Sequence, residues 1–229
     1  MEENNKLYVM ISKTHTGIGK AIRMFSRYPY NHVALTLDSS FRNWVSFARY
    51  NRDTPLYGGF TKEPVERYFA DETADNTVQV KVFALDITKE HHKNLSELFS
   101  CAGDLESGMV YNFFDIIAAT VGAKIPVANA YTCLGFARAV LQKDYRSIKA
   151  LDKDLESHLI YQGPLQELVS DSGNRTDLYF TRLGFIKGTR KTFKSFTVLT
   201  LNTIKAKSTD KISRHLNNKT VNSSEDISD

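Results

Sequence analysis

The sequence predicts an α+β fold built around an antiparallel sheet. Apolar patterns occur along the chain as strands first, then helices and then a late strand, whereas a parallel sheet would need strands and helices to alternate. The chain has 229 residues, of which 41% are hydrophobic, so it can bury a substantial core and is not wholly disordered. The length suits one folded domain that carries a short appendage.

Strand patterns dominate the first part of the chain. Short apolar runs or alternating residues predict four strands, at 7–11, 32–37, 44–49 and 78–85. A polar turn separates the second strand from the third, which predicts a β-hairpin. Between the first two strands, apolar residues recur every three or four positions over 17–27 and predict a helix that Pro29 ends. Gly58 and Gly59 predict a further turn.

Helical patterns dominate the second part of the chain. Thr88 is the predicted N-cap of a helix that continues to about Cys101. Two more helices are predicted at 112–121 and 133–142, and one or two helical segments are predicted within 145–169.

The end of the chain changes in composition. Residues 193–201 (FKSFTVLTL) predict a last strand, and beyond about Lys205 the apolar content falls sharply in favour of Ser, Asn, Asp and Lys. We therefore predict a folded domain over 1–205 and a disordered polar tail over 206–229.

Charge and cysteine content exclude several classes of function. The net charge of +4 is a mild excess without the clustered basic stripe that nucleic-acid binding requires, so we expect no nucleic-acid partner. The early apolar run 7–11 is too short for a signal-peptide core or a membrane span, so we expect a cytoplasmic protein without an integral membrane segment. Cys101 and Cys133 form neither a disulfide framework nor a zinc motif, and we expect no metal or other cofactor.

Cys133 is the first candidate for chemistry. It lies where the loop residues 129–132 turn directly into the predicted helix 133–142. A thiol in the first turn of a helix faces unpaired backbone N–H groups and the positive end of the helix dipole, which stabilise a thiolate. The same N–H groups can stabilise the oxyanion of a tetrahedral intermediate. The alternative interpretation is a small buried apolar residue at the start of a core helix.

A cysteine nucleophile needs a base, and His32 is the best placed of the six histidines. It begins an apolar strand, so its ring lies at the edge of the sheet, where it can meet the end of a helix. The alternative is a histidine whose hydrogen bonds are simply satisfied at a strand end.

Together the two segments resemble a known family. Residues 30–35 (YNHVAL), followed later by 131–136 (YTCLGF), resemble the circularly permuted branch of the NlpC-type papain-like cysteine hydrolases, which includes the lecithin–retinol acyltransferase relatives. In that branch the histidine strand precedes the cysteine helix. The segment 23–49, Gly58-Gly59-Phe60 and Tyr111-Asn112 are also similar to small uncharacterised bacterial members. The resemblance covers about 7–142, with the predicted strand near 193–201 as a further candidate part. It implies a permuted papain-like fold whose central antiparallel sheet packs against the cysteine-bearing helix.

The resemblance implies Cys133 as nucleophile, His32 as general base and a third polar group that orients the imidazole. Tyr111 resembles a tyrosine that lies near the cysteine in this superfamily, where its hydroxyl can assist the oxyanion. The alternative role of Tyr111 is that of an aromatic side chain packed into the core.

The third group of the site has several candidates. In this family it normally comes from the strand next to the histidine. A hairpin turn centred near Ser40 places Ser46 on the face of His32, whereas a centre half a residue later places Arg49 opposite it. A serine would orient the ring weakly and an arginine would oppose an imidazolium, and neither is the histidine, glutamate or aspartate that the family usually offers. Outside candidates are Asn31, Asp38 and Glu63.

The resemblance implies a thiol hydrolase (a peptidase or amidase) or an acyltransferase that attacks an amide or ester carbonyl. A small peptide, a peptidoglycan fragment or a lipid-type substrate fits the same Cys-His pair. A non-catalytic binding module that keeps the fold is the alternative, and a cell-wall hydrolase would in addition require an export route. The sequence indicates no oligomeric state.

Overall fold

An eight-stranded sheet forms the centre of the described part of the chain. The structure is a computed structural model that describes residues 5–15, 17–54, 57–70, 77–104, 109–112, 115, 127, 129–182 and 185–204. The strands are β1 Lys6–Lys13, β2 His32–Thr36, β3 Asn43–Arg49, β4 Gly58–Pro64, β5 Gln79–Asp86, β6 Val110–Tyr111, β7 Ala130–Tyr131 and β8 Leu159–Pro164. Their order across the sheet is β7-β6-β4-β3-β2-β1-β5-β8, with every pairing antiparallel except β6 with β7. The α+β class is therefore confirmed.

Helices cover the sheet and connect its strands. They are α1 Gly17–Ser26, α2 Glu66–Phe69, α3 Lys89–Ser100, α4 Cys133–Leu141, α5 Ile148–Asp154, α6 Leu165–Leu168 and α7 Phe185–Ile204. Side-chain caps fix several of their starts, because Thr88, Thr132 and Ser147 each accept a hydrogen bond from a backbone N–H in the first turn. Within the described residues, no helix combines the length and the apolar content that a membrane crossing requires.

The sheet is buried on both faces around β1. Successive side chains of a strand point to opposite faces, so Val9 and Ile11 belong to one apolar cluster and Met10 to another. The first cluster includes Phe136 of α4, and the second includes Trp44 of β3. This double burial explains why β1 is a continuous apolar run instead of an alternating one.

Most of the predicted elements are confirmed. The predicted strands correspond to β1, β2, β3 and β5, and the predicted helices at 17–27, 88–101 and 133–142 correspond to α1, α3 and α4. In the β2–β3 hairpin Leu35 pairs with Val45, which is the register that places His32 opposite Ala48. Most of the predicted helix 112–121 and the predicted tail 206–229 lie outside the described residues.

The turn predicted at Gly58 and Gly59 is wrong, because these glycines begin β4. Gly58 pairs with Arg49, and a Cβ atom at Gly58 would lie 2.5 Å from the carbonyl oxygen of Ala48. A Cβ atom at Gly59 would lie 2.4 Å from the carbonyl oxygen of Met109. The glycines are therefore needed because other backbone approaches closely, and not because the chain reverses.

The strand predicted at 193–201 is also wrong, because these residues belong to α7. A strand would place Phe193, Leu199 and Leu201 on one face. Instead Leu199 is buried against a small cluster with Val110, whereas Phe193 and Leu201 are exposed.

The segment 145–169 contains the predicted helices α5 and α6, but it also contains β8 between them. This strand lies at the edge of the sheet, and Leu159 and Ile160 are exposed. An edge strand of this kind has no need for the alternating apolar pattern that would have identified it.

Candidate active site

Cys133 is the first residue of α4, and its position follows from the local sequence. The Oγ1 atom of Thr132 accepts a hydrogen bond from the backbone N–H of Gly135 at 3.0 Å, so the helix begins directly after Thr132. Phe136 and Val140 on the inner face of α4 are fully buried in the core below the sheet. The packed helix thereby holds the largely buried Cys133 thiol at its N-terminal end.

His32 meets Cys133 from β2, against which α4 packs. The interaction with the His32 imidazole lowers the pKa of the Cys133 thiol, and so does the backbone of Val33. The structure therefore brings together the two residues on which the sequence analysis depended most. Both of them line one pocket, together with Tyr111.

A buried asparagine fixes the backbone just before His32. The backbone N–H of Asn31 donates to the carbonyl of Ser12 at 3.0 Å. Its side chain donates to Thr14 Oγ1 at 2.6 Å and accepts from the backbone N–H of Thr14 at 3.0 Å and from Arg23 at 2.7 Å. Asn31 therefore positions the start of β2, and its amide is committed to groups other than the imidazole.

Glu63 holds the far side of the His32 ring. Its Oε2 atom lies 2.8 Å from His32 Nε2, and the carboxylate is almost fully buried. Ser46 Oγ donates to the same Oε2 atom, and the Tyr68 hydroxyl donates to it at 3.2 Å. Because Nε2 is engaged by Glu63, Nδ1 is the ring nitrogen that remains available to the thiol of Cys133.

Ser46 and the other candidates for the third group have different roles. Ser46 Oγ lies 3.5 Å from His32 Nε2, so its short hydrogen bond to Glu63 is the stronger interaction. Arg49 lines the pocket but donates to the carbonyl of Arg52 and to the hydroxyl of Tyr179. Asp38 accepts from the backbone N–H of Ser40 at 2.8 Å in the turn that joins β2 to β3.

From the sequence, Glu63 is only an outside candidate, because the third group is expected on the strand next to His32. Glu63 stands on β4, and β3 lies between β4 and β2. The predicted turn at 58–59 also left Glu63 without a strand. In the structure Ser46 pairs with Thr61, so Glu63, which stands two residues further along the antiparallel β4, lies on the same face as Ser46.

The charges of the site shift the pKa values of its three ionisable groups, and all of them except the smaller repulsion of the Cys133 thiolate by Glu63 favour the same charged forms. Burial alone would raise the pKa of Glu63, but the charge and hydrogen bond of His32 and the hydrogen bond of Ser46 lower it to about 2. Burial would lower the pKa of His32, yet the charge of Glu63 and the contact with Cys133 raise it well above 6.5. Burial would raise the pKa of Cys133, but the hydrogen bond and charge of His32 lower it below 9.0. All three shifts favour an imidazolium–thiolate pair beside a carboxylate.

Tyr111 lines the pocket on the side of the helix end. Its strand β6 runs parallel to β7, where Tyr131 stands two residues before Cys133. Burial and the charge of Cys133 both raise the pKa of the Tyr111 hydroxyl. The hydroxyl therefore keeps its proton at neutral pH and remains a hydrogen-bond donor.

Among the described residues, no group of three or more His, Cys, Asp and Glu side chains is arranged to hold a metal ion. Cys101 is a free and exposed thiol on the C-terminal end of α3, where it is hydrogen bonded to the carbonyl of Glu97. It takes no part in the pocket that Cys133 lines.

Comparison of the chain with protein-family models, with curated proteins and with solved structures gave no match. The geometry of the site and the resemblance of residues 30–35 and 131–136 are therefore the basis for proposing a function.

Proposed function

We propose that this protein is a cysteine hydrolase or acyltransferase of the circularly permuted papain-like type, with Cys133 as nucleophile, His32 as general base and acid, and Glu63 as the residue that orients His32. The observation that carries the proposal is the position of the His32 ring, which lines the same pocket as Cys133 and lowers the pKa of its thiol, while its Nε2 atom lies 2.8 Å from Glu63 Oε2. A nucleophile, a base and an orienting carboxylate in this order make up the triad used in acyl transfer.

The arrangement of the chain supports the permuted form of the fold. The strand that carries His32 precedes the helix that carries Cys133, and α4 packs with its inner face on β2 and β3. A glutamate beside the histidine also agrees with what the resemblance of residues 30–35 and 131–136 implies for the third member.

The first half of the reaction forms an acyl-enzyme. The Cys133 thiolate attacks the carbonyl carbon of an amide or ester, so a C–S bond forms and the carbonyl oxygen becomes an oxyanion. Thr132 accepts from the N–H groups of Gly135 and Phe136, which leaves those of Cys133 and Leu134 at the helix end to stabilise the oxyanion. The Tyr111 hydroxyl is a further donor.

Protonation of the leaving group completes this half reaction. The His32 imidazolium gives its proton to the leaving nitrogen or oxygen as the C–N or C–O bond breaks. Glu63 stays ionised and stabilises the imidazolium until that transfer. A thioester on Cys133 and a neutral imidazole remain.

The second half of the reaction returns the enzyme to its starting state. His32 takes a proton from water, or from another hydroxyl or amine acceptor, and the acceptor attacks the thioester carbonyl. The C–S bond breaks, and the thiolate re-forms its ion pair with the imidazolium. Water as acceptor makes the protein a hydrolase, and another acceptor makes it an acyltransferase.

Alkylation by iodoacetamide at pH 6 tests the proposal, because an ordinary thiol with a pKa of about 8.5 is almost entirely protonated at that pH. We expect rapid modification of Cys133, detected by peptide mass spectrometry, and its loss in Cys133→Ala. The Cys101→Ala variant is the matched control and should keep the rapid phase. A rate for Cys133 that rises only near pH 8.5 would instead indicate a binding module without an activated thiol.

A second measurement tests acyl transfer directly. An activated ester, p-nitrophenyl acetate, should release p-nitrophenolate in a burst of about one equivalent per chain as the acyl-enzyme accumulates. The acetyl group should be found on Cys133. A burst that persists in Cys133→Ala would place the nucleophile elsewhere.

A further inference from the structure

We propose that Arg49 determines specificity at this site by binding a carboxylate of the substrate close to the carbonyl group that Cys133 attacks. This inference rests on the proposed function of Cys133 and adds a substrate class to it. The sequence indicates Arg49 only as a possible neighbour of the imidazole, and acyl transfer by Cys133, His32 and Glu63 gives Arg49 no role.

Arg49 lines the pocket, and its guanidinium has no counter-ion among the residues that the structure describes. It is the last residue of β3, and it lines the same pocket as Cys133 and Tyr111. Its Nη1 donates to the carbonyl of Arg52 at 3.0 Å and its Nη2 donates to the hydroxyl of Tyr179 at 3.3 Å. Both acceptors are neutral, and no carboxylate in the described part of the chain forms an ion pair with Arg49.

The neighbouring Arg67 shows the contrast. Its guanidinium is buried and binds the carboxylate of Asp177 through two hydrogen bonds, of 2.5 and 2.7 Å. It lies over the Tyr179 ring at 5.1 Å from the ring centre. The charge of Arg67 is therefore already matched, and this residue holds Tyr179 in place.

Tyr179 in turn fixes Arg49. The guanidinium of Arg49 lies 5.9 Å from the centre of the Tyr179 ring, in addition to its hydrogen bond with the hydroxyl. A cation held in one position pays less conformational entropy on binding an anion than a freely rotating side chain does. Arg49 is thus preorganised to bind a negatively charged group.

The chemistry of Arg49 favours a carboxylate. A guanidinium has five N–H donors in a planar arrangement that matches the two oxygens of a carboxylate, and only two of its nitrogens are engaged here. One unmatched positive charge balances the single negative charge of a carboxylate, whereas a phosphate would carry more than one negative charge. Arg49, Tyr111 and Cys133 line one pocket, so a carboxylate bound by Arg49 would lie in the same pocket as the reacting carbonyl.

Two alkylating reagents of nearly the same size test this inference. Iodoacetate carries a carboxylate and iodoacetamide does not, and both react with the Cys133 thiolate. The His32 imidazolium favours iodoacetate in every variant, so the quantity to compare is the ratio of the two rate constants at low ionic strength. In Arg49→Gln we expect this ratio to fall roughly three- to tenfold, since a charge pair of this kind contributes on the order of 1 kcal/mol.

Matched variants isolate the role of Arg49. Arg49→Lys keeps the charge and should retain part of the preference for iodoacetate. Lys62→Gln removes one positive charge from an exposed position of β4 and should leave the ratio unchanged. Equal slowing of both reagents in Arg49→Gln, or an unchanged ratio, would overturn the inference, because Arg49 would then only balance the charge of the site or play no part in it.

The source of the carboxylate is tested by protection of Cys133 against iodoacetamide. N-acetylalanine carries a terminal carboxylate, N-acetylglutamate α-amide carries a side-chain carboxylate, and N-acetylalaninamide carries neither. Protection by one of the first two that is lost in Arg49→Gln supports the site and identifies the source. Equal protection by all three, or protection by inorganic phosphate alone, would overturn it. Slow alkylation of Cys133 by both reagents would refute the proposed function instead, and a ratio that still depends on Arg49 would then leave the carboxylate site in place.

Discussion

The Nε2 atom of His32 lies 2.8 Å from the Oε2 atom of Glu63, although the two residues stand on strands that are not neighbours in the sheet. β3 lies between them and contributes Ser46, which donates to the same carboxylate oxygen. A buried carboxylate with three polar partners is costly to leave unpaired, so the position of the imidazole depends strongly on Glu63.

Glu63→Gln should deactivate the thiol while leaving the fold intact. The amide is similar in size and still accepts from Ser46 and Tyr68, but it no longer stabilises an imidazolium. The pKa of His32 should fall. The charge of Glu63 by itself raises the pKa of Cys133, but the lowering effect of the His32 imidazolium is larger, so weakening the imidazolium should raise the pKa of Cys133. Each unit of rise lowers the thiolate fraction about tenfold below the pKa. The rate of iodoacetamide alkylation at pH 6 should therefore fall at least about tenfold, with a pH profile displaced to higher pH. Unchanged alkylation would show that Glu63 has only a structural role.

Ser46→Ala separates the two candidates for the third group. Ser46 supports Glu63, so its removal takes away one of several hydrogen bonds to the carboxylate and costs roughly 1 kcal/mol of folding free energy. The alkylation rate at pH 6 should change only a few-fold, far less than in Glu63→Gln. If Ser46→Ala is as damaging as Glu63→Gln, then Ser46 and not Glu63 is the main partner of His32.

The free energy of unfolding in acid should depend on the pair of His32 and Glu63. The pKa of Glu63 is lowered to about 2, so its contribution to stability is present above its ordinary pKa near 4.5 and is lost as the pH falls from 4.5 towards 2. The pKa of His32 is raised, so the contribution of His32 is present below pH 6.5 and is lost only as the pH rises through the folded-state pKa. The difference in unfolding free energy between the unaltered protein and Glu63→Gln should therefore shrink between pH 4.5 and 2. Urea titrations at several pH values measure this difference, and a constant difference would contradict the assignment.

The parts of the site that depend on nearby residues could be predicted from the sequence. Thr132 and Cys133 are adjacent, and the cap and the helix start that they form are visible in a few letters. His32 opens β2, and the hairpin to β3 fixes its neighbour across the ladder.

Glu63 could not be predicted in the same way, because its place depends on which strand joins the sheet beyond β3. Two glycines at the start of β4 resemble a turn, whereas the sheet needs them to admit the backbone of Ala48 and Met109. The prediction of a strand at 193–201 was wrong for a related reason. The apolar residues of 193–201 fit either periodicity, and only the packing of Leu199 against Val110 selects the helix.

Tyr111→Phe distinguishes a hydrogen-bond donor from an aromatic that only packs in the core. The ring remains, so the fold and the ion pair of Cys133 with His32 should be preserved, and alkylation by iodoacetamide should continue at nearly the same rate. Alkylation forms no oxyanion, but acyl transfer does, and loss of one oxyanion donor typically slows that step about 10²–10³-fold. The burst with p-nitrophenyl acetate should therefore slow sharply while alkylation does not. Equal effects on both reactions would mean that Tyr111 supports the packing of the site, and no effect on either would exclude its hydroxyl from the chemistry.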